Sequence, residues 1–455
     1  MIFLLFYLLN PIADFLEKQE NQPNIVFIMA DDLGFGHLGS YGQKKIKTPN
    51  LDILASQGLR FTQFYSGSTV CGPARSTLMT GYHTGHTSVR GNTGGIPLLD
   101  EDVTIAEILK SKGYKTGMFG KWGLGDFGTS GTPDKQGFDE YFGYLHQVHA
   151  HFYYSEYLWD NGEKMFLDGN QDGNRNQYTH DLITDKALQF ISESSKKPFF
   201  LYVGYTIPHT ELLVPEDSLN EYLGDWDEPN PYVGHHYASQ PYPRSAFAGM
   251  VSRMDRDVGR IMDLLDELNL SNETIIFFTS DNGGQGFDGP DLEFFDGNGG
   301  LRGGKQDMYE GGIRVPLIVR WPGVIKEGSK SDHIWAFWDI LPTVGDIVGA
   351  SWSNEIDGLS MYPALLGAAA PKHEYLYWEY GGEGHLKQAV RMDDWKYVKH
   401  RDGTSELYNL KNDFSESDDL SKFHPEIIII MENILTSART PRRKYDRKDM
   451  TFDYK

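Results

Sequence analysis

The residues of this chain best suited to chemistry lie at separated places. The single cysteine, Cys71, opens the stretch Val70–Cys71–Gly72–Pro73–Ala74–Arg75–Ser76–Thr77–Leu78–Met79–Thr80–Gly81. Pro73 suits the first turn of a helix and Gly81 the residue past its end. Cys71 is therefore expected at a helix N-terminus, where backbone N–H groups and the helix dipole favour negative charge. Arg75 lies one turn further along. Such a cysteine is either a buried structural thiol or a catalytic residue. Asp31–Asp32 follows the apolar run Asn24–Met29, and Asp281–Asn282 follows Thr274–Thr279 and Ser280. Each pair alone reads as a cap or a turn. At the carboxyl ends of strands in an open α/β sheet, where ligands bind, they would converge. Three carboxylates packed closely repel, and a cation relieves that. Oxygen donors without Cys or His favour Ca²⁺ or Mg²⁺ over Zn²⁺.

The elements that must position these groups can be read in order. Strands are expected at Asn24–Met29, Lys115–Gly120, Pro198–Tyr205, Thr274–Thr279 and Val315–Trp321. Helices are expected after Thr48–Pro49–Asn50, over Val103–Lys112, Tyr178–Ser194, Ser245–Leu268 and Asp339–Val348. Strands alternating with helices imply an α/β fold with a largely parallel sheet covered on both faces. Residues 126–178 lack periodicity and suit a loop excursion with one hairpin; 210–243 form a second. Their aromatics, among them Phe138, Tyr141, Phe142, Tyr144, Phe152, Tyr153, Tyr154, Trp159, Trp226 and Tyr232, are expected on a pocket rim. From about Tyr375 short strands and a helix near Glu426–Thr436 suggest a small antiparallel subdomain. The expected division is 1–21 as an export signal or N-terminal extension, 22–368 as the catalytic domain and 369–455 as the C-terminal subdomain.

A formal charge of −22 argues against nucleic acid as a partner. It leaves room for an anionic substrate in a locally basic site. One cysteine excludes an intrachain disulfide. The opening MIFLLFYLLN is too short to span a bilayer as a helix. It reads as an atypical export signal without a basic leader, so a periplasmic or secreted location is expected, with no stable membrane insertion.

Taken together, these motifs resemble the type I, formylglycine-dependent sulfatases of the alkaline-phosphatase-like superfamily. The match is carried by Cys71-x-Pro73-x-Arg75 with Ser76–Gly81, by Ala30–Asp31–Asp32, Gly120–Lys121–Trp122, Pro208–His209 and Ser280–Asp281–Asn282–Gly283. It continues through Gly303–Gly304–Lys305, Tyr309–Gly312, Ala389–Arg391, Asp394–Lys396 and Glu406–Leu410. The resemblance implies a large mixed sheet with a small C-terminal sheet and helix. It implies that Cys71 is oxidised to Cα-formylglycine by a maturation enzyme. One Ca²⁺ would be held by Asp31, Asp32, Asp281, Asn282 and residue 71. A hydroxyl of the hydrated aldehyde would attack the sulfur of a sulfate ester; the other would then expel sulfate. Lys121 and Lys305 would bind the sulfate, Arg75 would steady the diol and the metal carboxylates, and His209 would protonate the leaving alcohol.

One position departs from the family. Many members carry Lys-Trp-His where this chain has Lys121–Trp122–Gly123; some branches share the glycine. The missing histidine contacts the formylglycine, so His151, in His146–Tyr154, is expected to point into the site as a substitute base or substrate contact. His83 and His86 are secondary candidates. The expected substrate is a sulfated carbohydrate, for example a galactose or hexosamine unit of a polysaccharide. The alternatives are a phosphatase or phosphonate monoester hydrolase of the same superfamily, or a degenerate, glycan-binding homologue.

Overall fold

The computed structural model describes residues 22–443 apart from 353 and 383. The export signal expected at 1–21 and the tail from 444 lie outside the described residues. In chain order the main elements are β1 (Asn24–Ala30), α1 (Pro49–Ser56), β2 (Leu59–Tyr65), α2 (Cys71–Thr80), α3 (Ile105–Ser111), β3 (Lys115–Lys121), β4 (Glu140–Tyr144), β5 (Tyr157–Asp160), β6 (Glu163–Phe166), α4 (Thr179–Ser194), β7 (Phe199–Gly204), α5 (Pro243–Glu267), β8 (Thr274–Ser280), β9 (Arg314–Arg320), β10 (Ser329–Ser331), β11 (Trp335–Ala336) and α6 (Ile340–Ile347).

β1 is buried along its whole length. Val26, Ile28 and Ala30 enter one hydrophobic core; Ile25, Phe27 and Met29 enter the other. That two-residue period is what a strand covered on both faces requires. β7 divides the same way, with Phe199, Leu201 and Val203 on one side and Phe200 and Tyr202 on the other. β1 sits between β7 and β8, parallel to both. The sheet order is β10-β2-β9-β8-β1-β7-β3-β4-β5-β6, with β11 also paired to β2. β9 runs antiparallel to β8 and β2, so the sheet is mixed and mostly parallel. The parallel strands β1, β3, β7 and β8 all end at one edge, and the candidate residues lie there.

Local signals behave as the chemistry predicts. Thr104 and Glu107 form a capping box at the start of α3. Gly81 ends α2 with a left-handed φ of 74°, which glycine adopts without steric penalty. Asn161 and Gly162, both at positive φ, join β5 to β6; this is the expected hairpin.

Four strands of the large sheet have no counterpart among the expected elements: β2, β4 and the short edge strands β10 and β11. β2 pairs with β9 through a register shift between Phe61 and Phe64, and that irregularity interrupts the alternation of its apolar residues. β4 lies inside the supposed irregular excursion and pairs parallel with β3. The aromatics around it are corrected accordingly. Phe138, Tyr141, Phe142, Tyr144, Tyr153 and Trp159 are buried core residues, not pocket rim.

The second sheet is antiparallel, β12 (Leu376–Tyr380), β13 (Lys387–Met392), β14 (Trp395–Lys399) and β15 (Ser405–Asn409), followed by α7 (Pro425–Ser437). Its Leu376, Trp378, Ala389 and Val398 pack on Tyr65, Ile313 and Trp338 of the larger body. Tyr377, Val390, Tyr397 and Leu407 pack on Met431 and Leu435 of α7. Arg439 and Arg442 fold back to bond the buried Glu379. No helix among the described residues is long and apolar enough to cross a membrane.

Candidate active site

β1 delivers Asp31 and Asp32 at its carboxyl end, and Asp32 adopts a left-handed φ of 63°. β8 delivers Asp281 and Asn282. The Asp32 N–H donates to Asp281 Oδ1 (3.1 Å) and Asn282 Nδ2 donates to Asp32 Oδ1 (2.7 Å). Cys71, 1% exposed, opens α2 and sets its Sγ 3.3 Å from Asp31 Oδ1. One turn on, Arg75 bonds Asp281 Oδ2 through Nε and Nη2 and the Lys121 carbonyl through Nη1 (2.6 Å). Lys121, at the end of β3, places Nζ 2.5 Å from Asp31 Oδ2. Lys305 reaches Asp32 Oδ2 at 2.6 Å and Gln285 Oε1 at 3.2 Å. His209 follows β7 after a cis Ile207–Pro208 peptide. Its Nδ1 bonds the Thr210 carbonyl, and its Nε2 lies 3.5 Å from Asp32 Oδ2.

Burial and charge set the protonation states. Burial pushes the Cys71 thiol well up, and Asp281 and Asp31 add to that. Cys71 is thus a poor thiolate nucleophile as it stands. Burial raises Asp281, with Asp31 reinforcing, as expected where carboxylates crowd. Asp31 is held low, at about 2: burial alone would raise it, but Lys121 and Arg75 overcome that. Burial lowers His209 well below its usual value, helped by Lys305 and Lys121. The imidazole is therefore neutral in this structure. With Nδ1 engaged at a carbonyl, the lone pair of Nε2 faces a carboxylate oxygen.

The donor set could hold a metal ion. Ligand atoms of Asp31, Asp32, Cys71 and His209 lie within 4.8 Å of one another. Asn282 Oδ1 is buried without a hydrogen-bond partner among the described residues. A buried amide oxygen left unpaired beside crowded carboxylates is an arrangement a cation satisfies.

The sheet edge thus unites Asp31, Asp32, Cys71, Arg75, Lys121, His209, Asp281, Asn282 and Lys305. His151 also arrives, its ring stacked on His209 with centroids 4.5 Å apart. It does not fill the space beside Gly123. Gly123 has a φ of 77°, and a Cβ there would stand 2.2 Å from Gln147 Oε1. His83 and His86 form a separate group on Asp357 (3.6 and 2.9 Å). His83 Nδ1 accepts the Gly85 N–H (3.0 Å), so the proton sits on Nε2 and that nitrogen offers no lone pair to a metal. Gln147, Asn92, whose Oδ1 accepts from Gln147 Nε2 (2.9 Å), Gln285, and Tyr202, whose hydroxyl accepts from Arg75 Nη1 (3.4 Å), were missed by sequence reasoning. Gln147 stands in the histidine-rich segment 146–154, where attention to imidazoles hid an amide. Gln285 follows the Asp281–Gly284 strand end closely enough to have been suspected.

Comparison with known proteins shows the family. Residues 23–350 match the sulfatase family, and residues 302–439 match the C-terminal region of N-sulphoglucosamine sulphohydrolase. The chain is 29% identical to the N-acetylgalactosamine-6-O-sulfatase of Bacteroides thetaiotaomicron, covering 93% of this chain and 94% of that one. It is 31% identical to human steryl-sulfatase, covering 78% and 72%. Among solved structures, Ps i-CgsB in complex with a neocarrahexaose superposes with a TM-score of 0.80 at 30% identity, over 92% of this chain and 93% of that one. The fold is alkaline-phosphatase-like. A large mixed sheet with an acidic and basic cluster at one edge, matched in sequence over most of its length, makes this chain a member of the sulfatase family and a sulfuric ester hydrolase.

Proposed function

We propose that the protein removes sulfate from a sulfated carbohydrate, with residue 71 matured to formylglycine and one Ca²⁺ at the acidic cluster. The observation that carries this reading is the Cys71 side chain set against Asp31, with Arg75, Lys121, Lys305 and His209 gathered around it. A phosphatase with a serine nucleophile and two metals needs a different set of groups. Asp31, Asp32, Asp281, Asn282 and residue 71 would hold the cation. When present, the hydrated formylglycine supplies a nucleophilic hydroxyl and the cation supplies positive charge at the sulfate.

The chain's own residues do the rest. Lys121 and Lys305 would bind sulfate oxygens through Nζ, placing fixed positive charge where the ester develops negative charge. Arg75 keeps the Asp281 and Asp31 carboxylates in register. His209 would give a proton from Nε2 to the leaving oxygen. Burial first and the two lysines second lower its pKa; an anionic sulfate bound between the lysines offsets the second cause and favours the protonated ring. His151, Phe152, His236 and Tyr237 cluster beside His209. Stacked rings with polar edges suit a sugar, and a galactose or hexosamine sulfate is the class proposed. We further propose a domain boundary near 368, a periplasmic or secreted location and a dedicated maturation enzyme.

The test combines intact-mass measurement at residue 71 with sulfate release from defined sulfated saccharides against phosphate-ester controls. Sulfate release requiring converted residue 71 is expected. Sulfate release undiminished in Cys71→Ala, or hydrolysis of the phosphate esters alone, would overturn the reading.

A further inference from the structure

The position of the missing histidine is not vacant. Gln147 reaches it from the segment after β4. The residue is 2% exposed, and its two amide atoms have different fates. Nε2 donates to Asn92 Oδ1 (2.9 Å), and the same oxygen accepts the backbone N–H of Gly72 (2.9 Å). Asn92 therefore fixes which way the amide faces. Oε1 turns the other way, into the space above Gly123, 2.2 Å from the position a Cβ would take; that position is 3.8 Å from Arg75 Cδ. Oε1 is buried and has no hydrogen-bond partner among the described residues. An acceptor left in that condition bears the desolvation penalty of its group with no bond in return. The amide is thus tied through Asn92 to Gly72, the neighbour of Cys71, and its oxygen crowds the same Gly123 position that Arg75 approaches.

We propose that Gln147 is a positioning residue that accepts a hydrogen bond from a hydroxyl of the hydrated side chain at residue 71. The inference rests on the formylglycine reading above. A carboxamide oxygen accepts a hydrogen bond but does not take the proton at ordinary pH. Gln147 therefore orients the hydrate and favours it over the free aldehyde, and no side-chain base acts from this position. Gly123 is what makes the arrangement possible: any side chain there would displace the amide.

The experiment uses the full chain produced together with a formylglycine-generating enzyme, with conversion of residue 71 measured by mass spectrometry. Wild type, Gln147→Met and Gln147→Glu are compared. Met is close in shape and has no amide oxygen; Glu keeps an acceptor. The first readout is labelling of residue 71 by an alkoxyamine, which reacts with the free aldehyde. The second is the separation of kcat from KM on a sulfate ester. In Gln147→Met, labelling several-fold faster and kcat about tenfold lower at little-changed KM are expected; Gln147→Glu returns labelling to the wild-type rate. Labelling and kcat unchanged in Gln147→Met would overturn the inference alone. Wild type that shows no mass conversion and no labelling would overturn the formylglycine reading and this inference with it.

Discussion

Arg75 and Asp281 form a fully buried pair in which Nε (3.2 Å) and Nη2 (2.8 Å) bond the same carboxylate oxygen, Oδ2. The other oxygen accepts the Asp32 backbone N–H, so one carboxylate ties α2 to β1. Arg75→Met leaves that charge without its partner. Breaking a buried pair in this way costs about 3–5 kcal/mol. The loss is expected in urea denaturation without added metal, and Ca²⁺ is expected to recover more stability in the variant than in wild type.

Cation binding should register as stability in its own right. A ligand that binds only the folded chain adds about 2.7 kcal/mol at a hundred times its Kd. Thermal melts with Ca²⁺ against chelator are expected to separate by several degrees. Asp32→Asn and Asn282→Ala should abolish the separation. Equal melts in wild type would remove the cation from the proposal.

Gly123→Ala tests the crowding beside Gln147. The substitution meets both a positive φ and a contact of 2.2 Å with Oε1. Strain and overpacking together are expected to cost about 1–3 kcal/mol. Combining it with Gln147→Ala should return part of that, and a double-mutant cycle would show a coupling on the order of 1 kcal/mol. Strict additivity would mean that the two positions do not share the space.

The small sheet is tied to the stretch that carries Lys305, one of the two lysines proposed to bind sulfate. Lys396 on β14 bonds Glu310 (2.9 Å) and Glu416 (3.1 Å), all three buried without exposure, and Glu310 belongs to the same stretch as Lys305. Burial raises Glu416 despite Lys396, whereas Lys396 and the nearby arginines hold Glu310 low against burial. Lys396→Met is expected to destabilise by about 3–5 kcal/mol. It should also lower kcat on sulfate esters, although the residue is remote from the substrate. Unchanged melting and kcat would show that the triad is idle.

A pH dependence follows from His373, whose Nε2 lies 2.8 Å from the buried carboxylate of Asp339. Burial opposes the charged ring, but Asp339 wins and the pKa is raised. A raised folded-state pKa gives stability that is fully present below about pH 6.5, the unfolded value, and is lost as pH rises through the folded one. A charge-assisted hydrogen bond of this kind is worth about 1.5–3 kcal/mol. Stability of His373→Gln relative to wild type should therefore show its largest deficit at pH 5–6 and a smaller one at pH 9. A deficit independent of pH would assign the ring a packing role only.

Groups placed at strand ends were legible in the sequence. Apolar runs ending in Asp31–Asp32 and Asp281–Asn282 announce both the strand and the edge at which it stops, and the turn chemistry of Pro73 and Gly81 locates Cys71 at a helix start. Lys121, His209 and Lys305 were legible only through resemblance, because a lysine beside glycine or a histidine after proline has no local signature. Gln147 was not legible at all. Its role depends on what Gly123 lacks and on the Asn92 side chain, a three-body relation with no fixed spacing. β2 escaped for a simpler reason: a bulge breaks the alternation on which a strand is recognised.

The burial of Cys71 also has a meaning in time. Arg75 and Asp281, which pair in the buried site that holds Cys71, stand 206 positions apart. At synthesis rates of about 5–20 residues per second, roughly 10–40 s separate the appearance of the first from the second. The maturation enzyme proposed above would meet Cys71 most readily during that interval, while β8 does not yet exist to pair with β1. Once the later strand docks, Cys71 is 1% exposed, too little for a protein-sized catalyst to grip.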